Sequence, residues 1–242
     1  MSSPQRLAGA KTARKKKSAA PAEAAAAEAG LRELAELSPK KAPTQPRAVE
    51  TYERILATSA DLLGEVGIER LSTNLVCKRM GISPPALYQY FPNKYAIFQE
   101  LGLRLMLQQN ALLEPWAVPA TMALSEEQFA SSVAALFMQT LELTAQMPAG
   151  IWVTRALRAV PALQHVRNRS HDVVTELLLG AFMGAHPQAD AARARLTIRL
   201  AIDALYAAQE LLFDDPSQDP QAVAETMAEM VAAQLMRLRR KT

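Results

Sequence analysis

The sequence has little of what catalytic, secreted or membrane chains rely on. One cysteine stands in 242 residues, so Cys77 has no internal partner and the chain fits a reducing compartment rather than a disulfide framework. The three histidines, His165, His171 and His186, form no HExxH and share no ligand spacing with cysteine or glutamate, so no metal site is expected. A Gly-rich phosphate loop and a GxSxG elbow are both missing, and nothing marks a catalytic residue or a cofactor. No stretch reaches the roughly 18 uninterrupted apolar residues of a membrane span. The basic N-terminus lacks the apolar core of a secretory signal. Alternating Val, Ile, Thr and aromatic runs, the mark of strands, are nearly absent. These absences point to a cytoplasmic, all-α protein without cofactor and argue against an enzyme.

What remains is helix-forming. Half the residues are hydrophobic, enough to bury a sizeable core, and Ala, Leu, Met, Gln and Arg dominate. The net charge of +3 is unevenly spread. Residues 1–46 carry nine Lys/Arg against four Glu, residues 47–95 six against five, and residues 96–242 twelve against fifteen. A basic front end on a mildly acidic body suits a polyanionic partner at the front.

Residues 1–46 read as a disordered basic arm, because KTARKKK and the Ala/Pro/Glu sequence after it bury too little to offset ordering. From Arg47 onward, Tyr52, Ile55, Leu56, Ser59, Ala60, Leu63 and Val66 recur at helical spacing, and this first helix is expected to stop at Gly67. Ser72 is placed to cap a short helix through Met80, which Gly81 ends. Ser83 caps the next helix, with Pro84 at its first position, where no backbone N–H is needed. Pro92 should end that helix at Phe91. Two short helices joined by a glycine turn make a helix-turn-helix, with Val76, Cys77, Met80, Ile82, Leu87 and Phe91 pinning it to the first helix. Further helices follow over Tyr95 to Leu113, around Phe129 to Met147, Trp152 to Val160, about Pro161 to Met183, Asp190 to Phe213 and Pro220 to Arg240, about nine in all.

A helix that reads the major groove needs a sharply defined start, and Ser83-Pro84-Pro85 supplies one. Pro85 and Ala86 offer apolar surface suited to a thymine methyl, and Gln89 can pair with an adenine edge. Tyr88, Tyr90 and Lys94 carry groups that bond phosphate. Residues 47–100, above all SPPALYQYFPNKYAIF, resemble the N-terminal DNA-binding domain of TetR-family (tetracycline-repressor-like) transcriptional regulators. The resemblance implies that Tyr90 and Lys94 contact phosphate and that Pro85, Ala86 and Tyr88 sit nearest the bases. It also implies that Ser72 and Thr73 hold the opposite groove wall. The expected organisation is a helix-turn-helix DNA-binding domain over 47–95 and a helical effector-binding and dimerisation domain over 96–242.

By that resemblance the chain is expected to be a bacterial, nucleoid-associated repressor, released from a palindromic operator by a small, largely apolar effector. The other reading is a ligand-independent DNA-binding adaptor or nucleoid-associated protein on the same fold. Trp116, Phe137, Trp152 and His165 are candidate pocket residues, although core packing explains them as well. Arg155, Arg158 and His165 could meet an anionic ligand. A homodimer is expected through the last two helices. Its faces would be a stripe of Leu196, Leu200, Ala204, Ala207 and Leu211 and another of Ala224, Ala228, Val231, Leu235 and Leu238.

Overall fold

Local signals in the chain dictate most helix ends. In the computed structural model, which describes residues 43–239, α1 (Pro46–Arg70) opens with proline at its first position. The expected disordered arm lies outside the described residues except for its last four. Gly67, at φ 76° and ψ 174°, kinks α1. That conformation is essentially restricted to glycine, and one further turn follows it before Leu71. The Ser72 hydroxyl accepts from the Leu75 amide to start α2 (Thr73–Met80), and Gly81 closes it in the left-handed conformation at φ 68°. α3 (Pro84–Tyr88) is shorter than expected. The amides of Tyr90 and Phe91 both turn back to the Leu87 carbonyl, tightening the last turn ahead of Pro92. The Asn93 side chain accepts from the Ala96 amide to begin α4 (Lys94–Leu113).

Beyond α4, Pro119 starts a one-turn helix, α5 (Pro119–Met122), that periodicity did not reveal because four residues carry no period. α6 (Glu126–Gln146) opens with a reciprocal Ser125/Gln128 capping box. α7 (Gly150–Ala159), a 3-10 turn at Pro161–Leu163, α8 (Gln164–Ala185), α9 (Ala191–Asp214) and α10 (Pro220–Arg239) complete ten α-helices among the described residues. No strand occurs among them; the chain is all-α.

Burial divides into two apolar clusters. The first gathers α1 to α4 with Val153, Ala156 and Leu157 of α7 and Leu163 and Val166 after it. Within it, Tyr52 of α1 stacks on Phe91 at 4.7 Å between ring centres, fixing the helix-turn-helix to α1. Arg104 of α4 reaches back to Glu53 of α1 at 2.6 and 2.8 Å while also holding Glu100. The second cluster joins α5, α6, α8, α9 and α10.

The two stripes expected to form the dimer face have different fates. Leu196, Leu200 and Leu211 of α9 are exposed, the first two at 61% and 60%. Ala224, Ala228, Val231, Leu235 and Leu238 of α10 are buried within the monomer. This corrects the expectation for α10. Small residues there, with Ala130 and Ala134 on α6, let the two helices pack closely against each other.

Ala228→Leu should therefore overfill the α6–α10 contact and lower stability by about 1–3 kcal/mol. Urea denaturation monitored by helicity would read this as a lower midpoint.

Candidate functional site

The expected interface residues fall into groups with different tasks. Ser83, Pro84 and Pro85 are exposed at the start of α3, with Pro84 at the first helical position. Ser83 accepts the Ala86 and Leu87 amides through its backbone carbonyl, and its side chain makes no cap bond. Ala86 is half-buried, whereas Tyr88 (39% exposed) and Gln89 point outward. The Tyr88 hydroxyl lies 3.2 Å from Oγ1 of Thr73, so the first turns of α2 and α3 are joined by one hydrogen bond. Ser72 is exposed, but its hydroxyl is engaged as the α2 cap.

Two residues expected at the phosphates also make contacts within the chain. Tyr90 is half-buried, its ring edge-on to Tyr52 at 6.3 Å. Lys94, expected as a phosphate contact, turns inward. Its Nζ donates to the carbonyls of Ile68 and Leu71 at 3.1 Å each, with Glu69 O at 3.5 Å. Carbonyls left over where α1 ends beyond the Gly67 kink need donors, and an ammonium with three N–H groups satisfies them together. Lys94 thus locks α1 to the start of α4. Cys77 is buried between α2 and α1, and burial pushes its thiol pKa up. It packs as a small apolar residue.

A second feature is an apolar cavity, with about 110 Å³ open to the centre of a water-sized sphere. It is lined by α4, α5, α6, α8, α9 and α10 and by the α4–α5 connection. Trp116 and Phe137 line it, with Phe129, Val133 and Ile202. Trp152 and His165 do not. Trp152 packs in the first cluster beside Gly67, with the Arg155 guanidinium 5.2 Å from its ring centre. The Nδ1 of His165 sits 2.9 Å from the Ala162 carbonyl in the 3-10 turn. The break after α6 sends α7 along α1 and α4, which carries both residues away from the cavity. Arg155 and Arg158 are paired with Asp214 and Glu210, so neither is a free anion site.

Periodicity missed the polar residues that do reach the cavity: Gln109 and Asn110 of α4, His171 of α8, and Tyr206 and Gln209 of α9. They come from three helices distant in sequence, and no local spacing connects them. The Tyr206 hydroxyl donates to Oε1 of Gln109 at 2.7 Å, and Nε2 of Gln109 donates to Thr144 at 2.8 Å. His171 stacks on Tyr206 at 4.7 Å and sets Nδ1 2.9 Å from Asp203. Burial holds the His171 pKa below the ordinary 6.5, outweighing the opposite pull of Asp203.

Residues 55–101 match the model of bacterial regulatory proteins of the tetR family. The tetracycline repressor protein class A from transposon 1721 of Escherichia coli is 39% identical over 56 residues, 23% of this chain and 26% of that repressor. The chain thus spans about a quarter of the length of the tetracycline repressors it matches. An uncharacterised HTH-type transcriptional regulator of Mycobacterium tuberculosis is 26% identical over 162 residues, 58% of this chain and 83% of its own length. The fold is that of a TetR-family transcriptional regulator from Streptomyces coelicolor, with a TM-score of 0.55 at 23% identity over 77% of this chain and 98% of that one. Together the fold and the exposed α2–α3 surface define an all-helical helix-turn-helix protein. Residues 55–101 are thus similar to the tetR family of bacterial regulatory proteins, and the fold is shared with solved regulators of that name.

Lys94→Ala should remove the donor for the carbonyls of Ile68 and Leu71 and cost about 2 kcal/mol in chemical denaturation, as lost charged hydrogen bonds do. The depressed His171 pKa gives a second expectation. Below about pH 6.5 the unfolded chain takes up a proton that the folded one resists, so stability falls with pH by at most about 1.4 kcal/mol per unit from this group. His171→Gln should flatten the wild-type pH dependence of the denaturation midpoint between about pH 6.5 and 5.

Proposed function

We propose that the chain is a sequence-specific DNA-binding transcriptional regulator, a dimeric repressor that leaves a palindromic operator when a small apolar effector enters the cavity. The observation that carries this reading is the outward face of α3. A rigid proline start presents Pro85, Tyr88 and Gln89 to solvent within the segment that matches the family. In the major groove, Pro85 and Ala86 would meet a thymine methyl and Gln89 an adenine edge, while Tyr88 and Thr73 would face the sugar-phosphate wall. Lys94 would act by holding α1 and α4 in register, leaving charge for the phosphates to Lys78 and the exposed arginines of α1. The basic arm over residues 1–46 would add sequence-independent attraction, and the protein would work in the cytoplasm on the nucleoid.

One recognition helix reads only a few base pairs, so useful specificity needs two, on half-sites about 34–36 Å apart. The exposed α9 stripe of Leu196, Leu200, Ala204, Ala207 and Leu211 supports a two-fold interface there. α4 supports the release mechanism. It begins at Lys94 beside the helix-turn-helix and ends with Gln109, Asn110 and Leu113 in the cavity wall. An effector that prefers a tilted α4 would change the spacing of the recognition helices. A preference of about 1–3 kcal/mol corresponds to roughly 5–150-fold in operator affinity. The apolar cavity favours this reading over a ligand-independent adaptor.

The test starts from an operator selected out of randomised duplex DNA. Gln89→Ala should shift the selected sequence, with about 1–3 kcal/mol lost at the affected base pair, and leave the melting temperature near wild type. An unchanged consensus for both Gln89→Ala and Pro85→Ala would remove α3 from base readout. Leu196→Arg with Leu200→Arg should sediment as a monomer and bind the operator at least tenfold more weakly. A persistent dimer would move the interface off α9.

A further inference from the structure

Side chains that are buried yet lack a hydrogen-bond partner are costly, each by about 1–3 kcal/mol, and a molecule that supplies the partner recovers that cost. Three such atoms belong to residues that line the same cavity: Nε2 of His171, which also borders a smaller pocket beside Arg167 and Asp203, Oε1 of Gln209 and Nε1 of Trp116. His171 and Gln209 are almost fully buried, at 1% and 3% exposure. The neighbouring polar groups are already satisfied, since Tyr206, Gln109 and Thr144 form a closed chain of hydrogen bonds. The polar atoms left to greet a ligand are therefore few and defined.

Their chemistry sets the class of ligand. Because Nδ1 of His171 faces the Asp203 carboxylate at 2.9 Å, that nitrogen carries the hydrogen and Nε2 presents a lone pair. Burial keeps the ring neutral, so Nε2 accepts rather than donates. The cavity wall contains no Lys, Arg, Asp or Glu. A carboxylate entering it would find no cation among the lining residues, because Arg199 behind His171 is already paired with Asp203 and Arg167 lies in the neighbouring pocket. An ammonium would find only the Asp203 carboxylate, which Arg199 holds at 3.2 Å. The open space is narrow, which suits a single chain or ring among Phe129, Val133, Phe137 and Ile202.

We infer that the cavity binds an uncharged, mainly apolar molecule whose hydroxyl or amide N–H donates to Nε2 of His171, with the Gln209 amide and the Trp116 indole as further polar partners. The inference rests on the reading of the cavity as the effector site and gives that site a ligand class. A ligand that lacks the donor, or carries a formal charge, loses the one contact the buried imidazole can offer.

Four probes of equal chain length separate the possibilities: 1-nonanol, methyl octyl ether, nonanoate and nonylammonium. Each is titrated into the full-length chain by calorimetry. The expected result is binding of 1-nonanol, with the ether about 3–10-fold weaker for want of one neutral hydrogen bond and both ions at least tenfold weaker. Gln209→Leu, close in volume, and His171→Phe should each reduce 1-nonanol affinity by about 3–10-fold with helicity retained. Should His171→Phe not fold, the ether comparison and Gln209→Leu carry the test alone. Nonanoate binding as tightly as the alcohol would overturn the ligand class while leaving an effector cavity standing. Equal affinity for alcohol and ether, or full alcohol affinity in Gln209→Leu, would overturn the assigned polar contacts. Failure of all four probes to bind would remove both the inference and the effector reading beneath it.

Discussion

Where α1 ends, the Gly67 kink leaves backbone carbonyls without helical partners, and the Lys94 ammonium satisfies those of Ile68 and Leu71. Much of the remaining geometry depends on that bond. It sets the start of α4 against the end of α1, and Tyr52 stacking on Phe91 sets α3 on the same surface. The helix-turn-helix is thereby held between two helices rather than carried on a flexible link. The Arg104–Glu53 pair extends the hold along α4. Exposed ion pairs such as Arg79–Glu65 contribute little by comparison, because solvent screens them.

α4 leads from this lock to a cavity with a different energetic character. Its apolar wall packs by burial alone, and burial is indifferent to orientation. Direction comes from a few polar atoms: the closed chain through Tyr206 and Gln109, and the His171 ring held between Asp203 and Tyr206. Gln109 lies on the helix whose first residue is Lys94, so the cavity wall and the helix-turn-helix share one element. A rigid helix locked at one end and lined with cavity residues near the other suits coupling between two sites.

The two C-terminal helices illustrate how an apolar stripe acquires its meaning. α9 and α10 both carry well-spaced small and apolar residues. On α10 the stripe meets Ala130 and Ala134 of α6 and disappears into the core. On α9 Leu196, Leu200 and Leu211 stay exposed among the described residues. Spacing is identical evidence in both cases, since a helix buries its stripe equally well against its own chain or another.

The sequence by itself determined the helical class, most helix ends and the helix-turn-helix. Ser72, Gly81 and Pro84 act through bonds and dihedrals within a few residues of themselves, so their consequences are local and readable. Exposure of Pro85, Tyr88 and Gln89 followed from the same local logic. Tertiary structure decided the rest. It turned Lys94 inward to carbonyls more than twenty residues away and carried Trp152 and His165 off to other surroundings. It also assembled His171, Gln209 and Trp116 around one cavity from positions up to 93 residues apart. Contacts between distant segments depend on how whole helices pack, and helical periodicity names the buried face without naming what it is buried against.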